Sequence, residues 1–233
     1  MTNEAPKLSP PWTKTYSRGA IVAIIALGFL LALGARKYLR QADAQRCFRE
    51  GMEAFAAGDL DAVDTAAEAL RSDQEFQAHV SLFEGMILLR TGRLVNAIEH
   101  FGEAKDHPDT QASAYALSGE ALYKGGMLRD APRILKQAIA LDPTAIDARR
   151  WLAATYYDTG AMLEALKVLE TIAEQEPDDP RPNRLRGLIH KDLEAYTRAA
   201  RDYRESLRRA PNQPDKDAIR AELAECLIKR RKH

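Results

Sequence analysis

Residues 146–179 read IDARRWLAATYYDTGAMLEALKVLETIAEQEPDD, and this stretch decides the fold. Apolar residues recur in it at the three- and four-residue spacing of an amphipathic helix, on both sides of Gly160. They are Leu152, Tyr156, Leu163, Leu166, Leu169 and Ile172. The spacing predicts two short helices joined by a turn at the glycine. Neither helix can bury its apolar stripe alone, so the pair must pack against further helices.

The same pattern returns every 34 residues between residues 44 and 213. A first small residue occurs at Gly51, Gly85, Gly119, Ala153 and Gly187. A turn position follows at Gly58, Gly92, Gly126, Gly160 and Glu194. A second small position contains Val63, Ala97, Ala131, Ala165 and Ala199, and the bulky position four residues later contains Ala67, Phe101, Leu135, Leu169 and Tyr203. The later copies close at Pro143, Pro177 and Pro211, with Pro108 one place early. We call each set of equivalent positions a column.

This pattern resembles the tetratricopeptide repeat (TPR) family over about 170 residues. The resemblance implies an all-α, right-handed helical solenoid of about five 34-residue helix-turn-helix repeats with a concave inner face. The predicted units are 44–77, 78–111, 112–145, 146–179 and 180–213, and residues 214–233 form a capping helix and basic tail. The first unit departs from the pattern, because Glu75 stands in place of the proline and Ala67 in place of the bulky residue.

A second feature is the uncharged stretch Gly19–Ala35, which has 17 residues. At a rise of about 1.5 Å per residue it would extend ~26 Å as a helix, close to the lower limit for crossing a bilayer core. We therefore expect a single transmembrane helix at 19–35, between a polar tail at 1–18 and a juxtamembrane linker at 36–43. A cleaved signal peptide and a buried helix stay open as alternatives, although the basic residues directly after the stretch argue against cleavage.

The location of the repeats is predicted from charge. Five Lys or Arg residues follow the stretch closely and three precede it, which favours a cytoplasmic repeat domain on the bacterial inner membrane. The wide separation of Cys47 and Cys226 favours the same side, and the opposite orientation stays open. Residues 44–180 have a net charge of −11 and residues 181–233 of +7, which would suit head-to-tail self-association.

The resemblance assigns partner binding to a concave groove lined by the first helix of each unit. The groove positions are Phe48, Met52, Phe55, Leu82, Met86, Leu89, Glu120, Tyr123, Arg150, Tyr157, Arg184, Leu188 and Lys191. The early positions are apolar and the late ones mainly basic, so we expect a protein or peptide partner that joins an apolar stretch to an acidic one. The first interpretation is a membrane-anchored scaffold that recruits this partner.

The alternative function is an assembly or secretion chaperone that binds unfolded or newly exported chains. An enzyme is the least favoured interpretation, because the sequence has no phosphate-binding loop, nucleophile elbow or HExxH motif. The five histidines are scattered, and we interpret them as surface or packing residues. We expect no cofactor, no metal and no nucleic-acid partner.

Overall fold

The structure, a computed structural model, describes residues 18–231, and only the backbone of residues 18–21, 23 and 24. These residues form eleven α-helices, one short 3-10 helix and no strand, which confirms the predicted all-α repeat fold. The helices are α1 Arg18–Ala57, α2 Leu60–Arg71, α3 Gln77–Arg90, α4 Leu94–Ala104, α5 Pro108–Lys124, α6 Ala131–Leu141, α7 Ile146–Asp158, α8 Met162–Gln175, α9 Arg181–Asp192, α10 Tyr196–Arg209 and α11 Lys216–Arg230. The chain divides into two compact units after Arg49, and we call residues 50–233 the repeat body.

The amino-terminal predictions concern α1. No helix among the described residues combines the length and hydropathy of a membrane span. Within the predicted span Gly19–Ala35, the side chains of residues 19–21, 23 and 24 lie outside the described part of the structure. The predicted tail at 1–18 lies outside the described residues except for residue 18. Residues 36–43, predicted as a linker, are helical, as expected for a segment without glycine or proline.

Consecutive helices pair within the repeat body as the period predicts. The pairs are α3 with α4, α5 with α6, α7 with α8, and α9 with α10, and α11 packs on α10 as a cap. Helices α6, α8 and α10 each end two residues before the prolines of the closing column. The first unit lacks this proline. In its place the 3-10 helix Gln74–Phe76 separates α2 from α3 and buries Phe76.

Close approach of the paired helices depends on the first small column. A Cβ atom on Gly119 would lie 2.3 Å from the Leu135 side chain, and one on Gly85 would lie 2.6 Å from the Phe101 ring. No real carbon atom fits at these distances, so glycine lets the bulky residue of the same unit seat against the backbone. In the first unit Ala67 is too small for this role, and a Cβ on Gly51 would instead meet Phe83 of the next unit at 2.5 Å.

The turn column adopts a left-handed backbone. Gly58, Gly92, Gly126 and Gly160 have φ angles between +74° and +82°, and Glu194 has the same kind of conformation with φ +56°. A side chain is disfavoured there because its Cβ crowds the following carbonyl.

Glu194→Gly is therefore expected to stabilise the repeat body by about 1 kcal/mol. Thermal denaturation followed by circular dichroism checks this. Glu194→Ala is the matched control, since it removes the carboxylate but keeps the Cβ, and its melting temperature should stay near that of the original chain. An equal gain in both variants would assign the effect to charge rather than to backbone strain.

Candidate functional site

A cavity of about 670 Å³ lies at the carboxyl-terminal end of the repeat body. Its walls come mainly from α7, α9 and α11, and α8 and α10 supply its floor. The apolar lining residues are Trp151, Ala154, Leu169, Ile172, Pro182, Leu185, Leu188, Ala218 and Ile219. The charged lining residues are Asp147, Arg150, Arg181, Arg184 and Glu222, and Tyr203 also contributes. Three of the predicted groove residues, Arg150, Arg184 and Leu188, therefore meet at one concave site.

Two polar atoms of this lining are buried without a hydrogen-bond partner in the described part of the chain. They are the hydroxyl oxygen of Tyr203 and Nε of Arg150. Tyr203 is 2% exposed, and its burial raises the pKa of the phenol above its usual value, so the hydroxyl stays protonated and can donate. An unpaired buried donor costs about 1–3 kcal/mol. A bound group with a hydrogen-bond acceptor would remove that cost once the side chains that cover the donor move aside.

The predicted cationic positions are already engaged within the chain. Arg150 contacts Asp147, Glu176 and Asp179, and its Nη2 lies 3.1 Å from an Asp179 oxygen. Arg184 pairs with Asp215. These carboxylates neutralise the guanidinium groups, so an acidic partner would have to compete with them.

Lys191 is held in the same way by the cap helix. Its ammonium contacts Glu222 and lies 2.8 Å from Glu225. Hydrogen bonds to these two carboxylates raise the pKa of Lys191 above its usual value. Sequence reasoning missed these pairs because, apart from Asp147, each carboxylate lies 26 to 34 residues from its cation. The repeat period was the available signal.

Two predicted tyrosines connect consecutive units. The Tyr123 hydroxyl donates to Asp158 at 2.6 Å, and the Tyr157 hydroxyl donates to Asp192 at 2.8 Å, in each case 35 residues further along. The hydrogen bond to Asp158 raises the pKa of Tyr123 to about 12, and burial followed by the bond to Asp192 raises the pKa of Tyr157 to about 12. Glu120 pairs with Lys124 at 2.7 Å. The two tyrosine hydrogen bonds stabilise the array, and no short motif indicates them, whereas Glu120 and Lys124 form an i,i+4 pair within α5.

The apolar early positions mostly lie in the interior. Leu82 and Met86 are fully buried and Leu89 is 2% exposed, because α3 is packed by α2, α4 and α5. Phe55 is buried beneath the Arg90 guanidinium, 4.4 Å from the ring centre. The expectation that Leu82, Met86 and Leu89 line an open groove therefore differs from their place in the structure.

Phe48 and Met52 are the half-buried members of the early set. A partner can reach them without a rearrangement of the core. Their role as groove residues stays a prediction.

A histidine cluster, which sequence reasoning interpreted as scattered residues, joins α3 to the start of α5. Metal-ligating atoms of His79, His107 and Asp109 lie within 4.8 Å of one another. Burial, and then His107, lower the pKa of His79 to about 4. However, Nδ1 of His107 accepts the backbone N–H of Asp109 at 3.2 Å, which leaves its proton on Nε2. The positive end of the α5 dipole also disfavours a cation here, so we interpret the cluster as a packing contact.

Comparisons with known proteins agree with this architecture. Two models of the tetratricopeptide repeat match residues 48–114 and 122–189. No curated protein sequence matches the chain. The structure is similar to that of MamA, with 24% identity, a TM-score of 0.58, and coverage of 68% of this chain and 93% of MamA.

Two further solved structures are similar. TTC0263, a thermophilic TPR protein of Thermus thermophilus, has 20% identity and a TM-score of 0.59 over 79% of this chain and 99% of its own. A tetratricopeptide repeat protein of Parabacteroides merdae has 20% identity and a TM-score of 0.58 over 64% of this chain and 60% of its own. The chain therefore belongs to the tetratricopeptide repeat family, whose members generally act as protein-binding scaffolds and not as enzymes.

Proposed function

We propose that the chain is a membrane-anchored scaffold that binds a protein partner in the cavity between α7, α9 and α11. The observation that carries the proposal is the combination of an apolar floor with two unpaired donors, Tyr203 Oη and Arg150 Nε. The cavity volume lies in the range of ligand sites and suits one or two large apolar side chains. The preferred ligand is an amphipathic helix or extended segment that also offers an acceptor to these donors.

The apolar part of the partner supplies most of the affinity in this proposal. The cations at the rim, Arg150 and Arg184, are paired with carboxylates of the chain itself. An acidic segment next to the apolar one would exchange these ion pairs for new ones, with little net gain. The acidic half of the predicted partner therefore affects the orientation of the bound partner more than its affinity.

A photoactivatable cross-linking residue at position 188 tests the site in living cells. Leu188 is half-buried and lines the cavity, so it should give one or two discrete, stoichiometric adducts. The same residue at position 141 is the matched control, because Leu141 is exposed at the end of α6 and outside the cavity. A ladder of many weak adducts at 188 would favour the chaperone alternative, and equal adducts at both positions would reject the cavity.

Tyr203→Phe tests the donor. The variant removes one unpaired hydroxyl, so the free protein should be as stable as the original chain or slightly more stable. Binding of the cross-linked partner, measured with the purified pair, should weaken about fivefold to tenfold if the partner accepts a hydrogen bond from Tyr203. Unchanged affinity would show that the hydroxyl has no contact with the partner.

The anchor belongs to the same proposal. Side chains of α1 from Ile25 to Leu33 are exposed and apolar, with Phe29, Leu30 and Leu31 each more than 60% exposed, and basic residues follow at Arg36 and Lys37. A membrane would cover such a surface. The full-length chain should therefore stay with membranes through carbonate and high-salt washes, and its release by either wash would remove the anchor from the proposal.

A further inference from the structure

Two stripes of opposite charge lie on the exposed sides of α8 and α10. Arg198, Arg201 and Arg204 follow one side of α10. Glu164, Glu170 and Glu174 follow one side of α8. All six side chains are exposed, and they point away from the buried edges of the two helices.

None of these six side chains forms an ion pair within the part of the chain that the structure describes. This sets them apart from their neighbours, since Arg208 and Arg209 on the same helix both contact Glu205, at 2.7 and 2.9 Å. The rim cations of the cavity are paired as well. The chain thus neutralises the cations of the cavity internally and leaves the charges of the two stripes unpaired.

The two stripes are in register. Glu164 and Arg198 occupy equivalent positions 34 residues apart, and so do Glu170 and Arg204. A two-fold axis that runs between α8 and α10, along their length, would bring each glutamate of one copy opposite the equivalent arginine of another. The contact would form twice, because a two-fold interface uses the same surface on both copies. Lys167 is the one cation in the acidic stripe, and it would lie opposite Arg201.

We propose that the outer faces of α8 and α10 form a symmetric interface between two copies of this chain. The interface joins Arg198 and Arg204 of each copy to Glu164 and Glu170 of the other. None of the six side chains lines the cavity, so the dimer can present two partner sites at once. This arrangement closes at two copies, unlike a head-to-tail contact, which extends into a ring or a filament.

A second copy fits both stripes better than a polyanion does. Helices α8 and α10 both pack on α9, so the stripes lie within roughly 20 Å of each other. A membrane of anionic lipid or a nucleic acid laid on the arginines would bring like charge close to the three glutamates. A surface that carries both signs in the same order pairs Glu164 and Glu170 with Arg198 and Arg204, and the contact of Lys167 with Arg201 opposes this gain.

Charge reversal and its rescue test the interface. Sedimentation equilibrium is measured on the full-length chain in mild detergent, with density matching, at low and high salt. Arg198→Glu with Arg204→Glu should raise the dimer dissociation constant at least tenfold, and so should Glu164→Arg with Glu170→Arg. The four substitutions combined exchange the two stripes and should restore the dimer to within about threefold of the original constant.

Arg93→Glu with Arg129→Glu is the matched control, since both arginines are exposed, outside the stripes and without an ion pair in the described residues. It produces the same change in net charge and should leave the dimer intact. A monomeric original chain, or failure of the fourfold variant to recover association while its melting curve is unchanged, would overturn the proposal. Larger, open-ended oligomers would assign the association to a head-to-tail contact. Loss of binding to anionic vesicles by the arginine variant, with no change in association, would assign the stripe to lipid.

Discussion

Gly119→Leu is expected to destabilise the repeat body by about 3 kcal/mol. The residue lies in the middle of α5, and a Cβ there would stand 2.3 Å from the Leu135 side chain of α6. A leucine would force the two helices apart and open the joint between them. Because each unit of a solenoid is stabilised by its neighbours, the loss should extend to α4 and α7 as well. Thermal denaturation of the full-length chain in mild detergent measures the change, and hydrogen exchange maps its extent.

Gly102→Leu provides the matched control. Gly102 is also helical, but a Cβ there would meet nothing within 4 Å. Leucine has a better helix propensity than glycine, so this variant should be as stable as the original chain or up to about 1 kcal/mol more stable. Equal melting temperatures for the two leucine variants would show that the helices of the third unit do not meet at Gly119.

Asp202→Asn is the second substitution with a large expected effect. Asp202 is 1% exposed; one of its oxygens accepts from Arg186 Nη2 at 2.6 Å, and the other lies 2.7 Å from His190 Nδ1. The amide removes the charge that compensates Arg186 and replaces an acceptor with a donor. We expect a loss of about 3 kcal/mol, at the lower end for a broken buried pair because Arg186 retains some access to water.

The neighbouring unit supplies the control for this prediction. Its Leu152, Tyr156 and Val168 occupy the positions equivalent to Arg186, His190 and Asp202. The triple variant Arg186→Leu, His190→Tyr and Asp202→Val copies that apolar set, and it should recover most of the stability lost in Asp202→Asn. If the melting temperature of the triple variant is as low as that of Asp202→Asn, the stability of the contact between α9 and α10 depends on more than the pairing of its buried polar groups.

The repeat fold could be predicted from sequence because its determinants are local and periodic. Gly85, Gly119 and Gly187 recur at fixed distances from the bulky residues that seat against them, and the prolines mark the unit boundaries. These signals depend on backbone sterics, which neighbouring units do not alter. The resemblance assigned Arg150, Arg184 and Leu188 to one groove, and the three residues line one cavity, but no sequence signal indicated that the two arginines pair with carboxylates of the chain. Their role in partner binding stays a prediction.

The other features of the site depend on contacts between helices, and the sequence of a single helix does not reveal which residues it will contact. The polarity of Arg150 is visible in the sequence, but its contact with Asp179 depends on how the loop after α8 lies against α7. The same holds for Met86, whose burial follows from the helices that pack around α3. The Arg186–Asp202–His190 network was missed because its residues are separated by 4 to 16 positions and share no motif.

The contact between Gly51 and Phe83 has a consequence for the order of events during translation. The ribosome releases α1 and α2 first, yet the nearest side chain to Gly51 is that of Phe83, which is made 32 residues later. Helices α1 and α2 therefore leave the exit tunnel before the side chain that packs against Gly51 has been made. We expect nascent chains that stop before Phe83 to be protease-sensitive, and chains that extend through α4 to be the first that resist digestion.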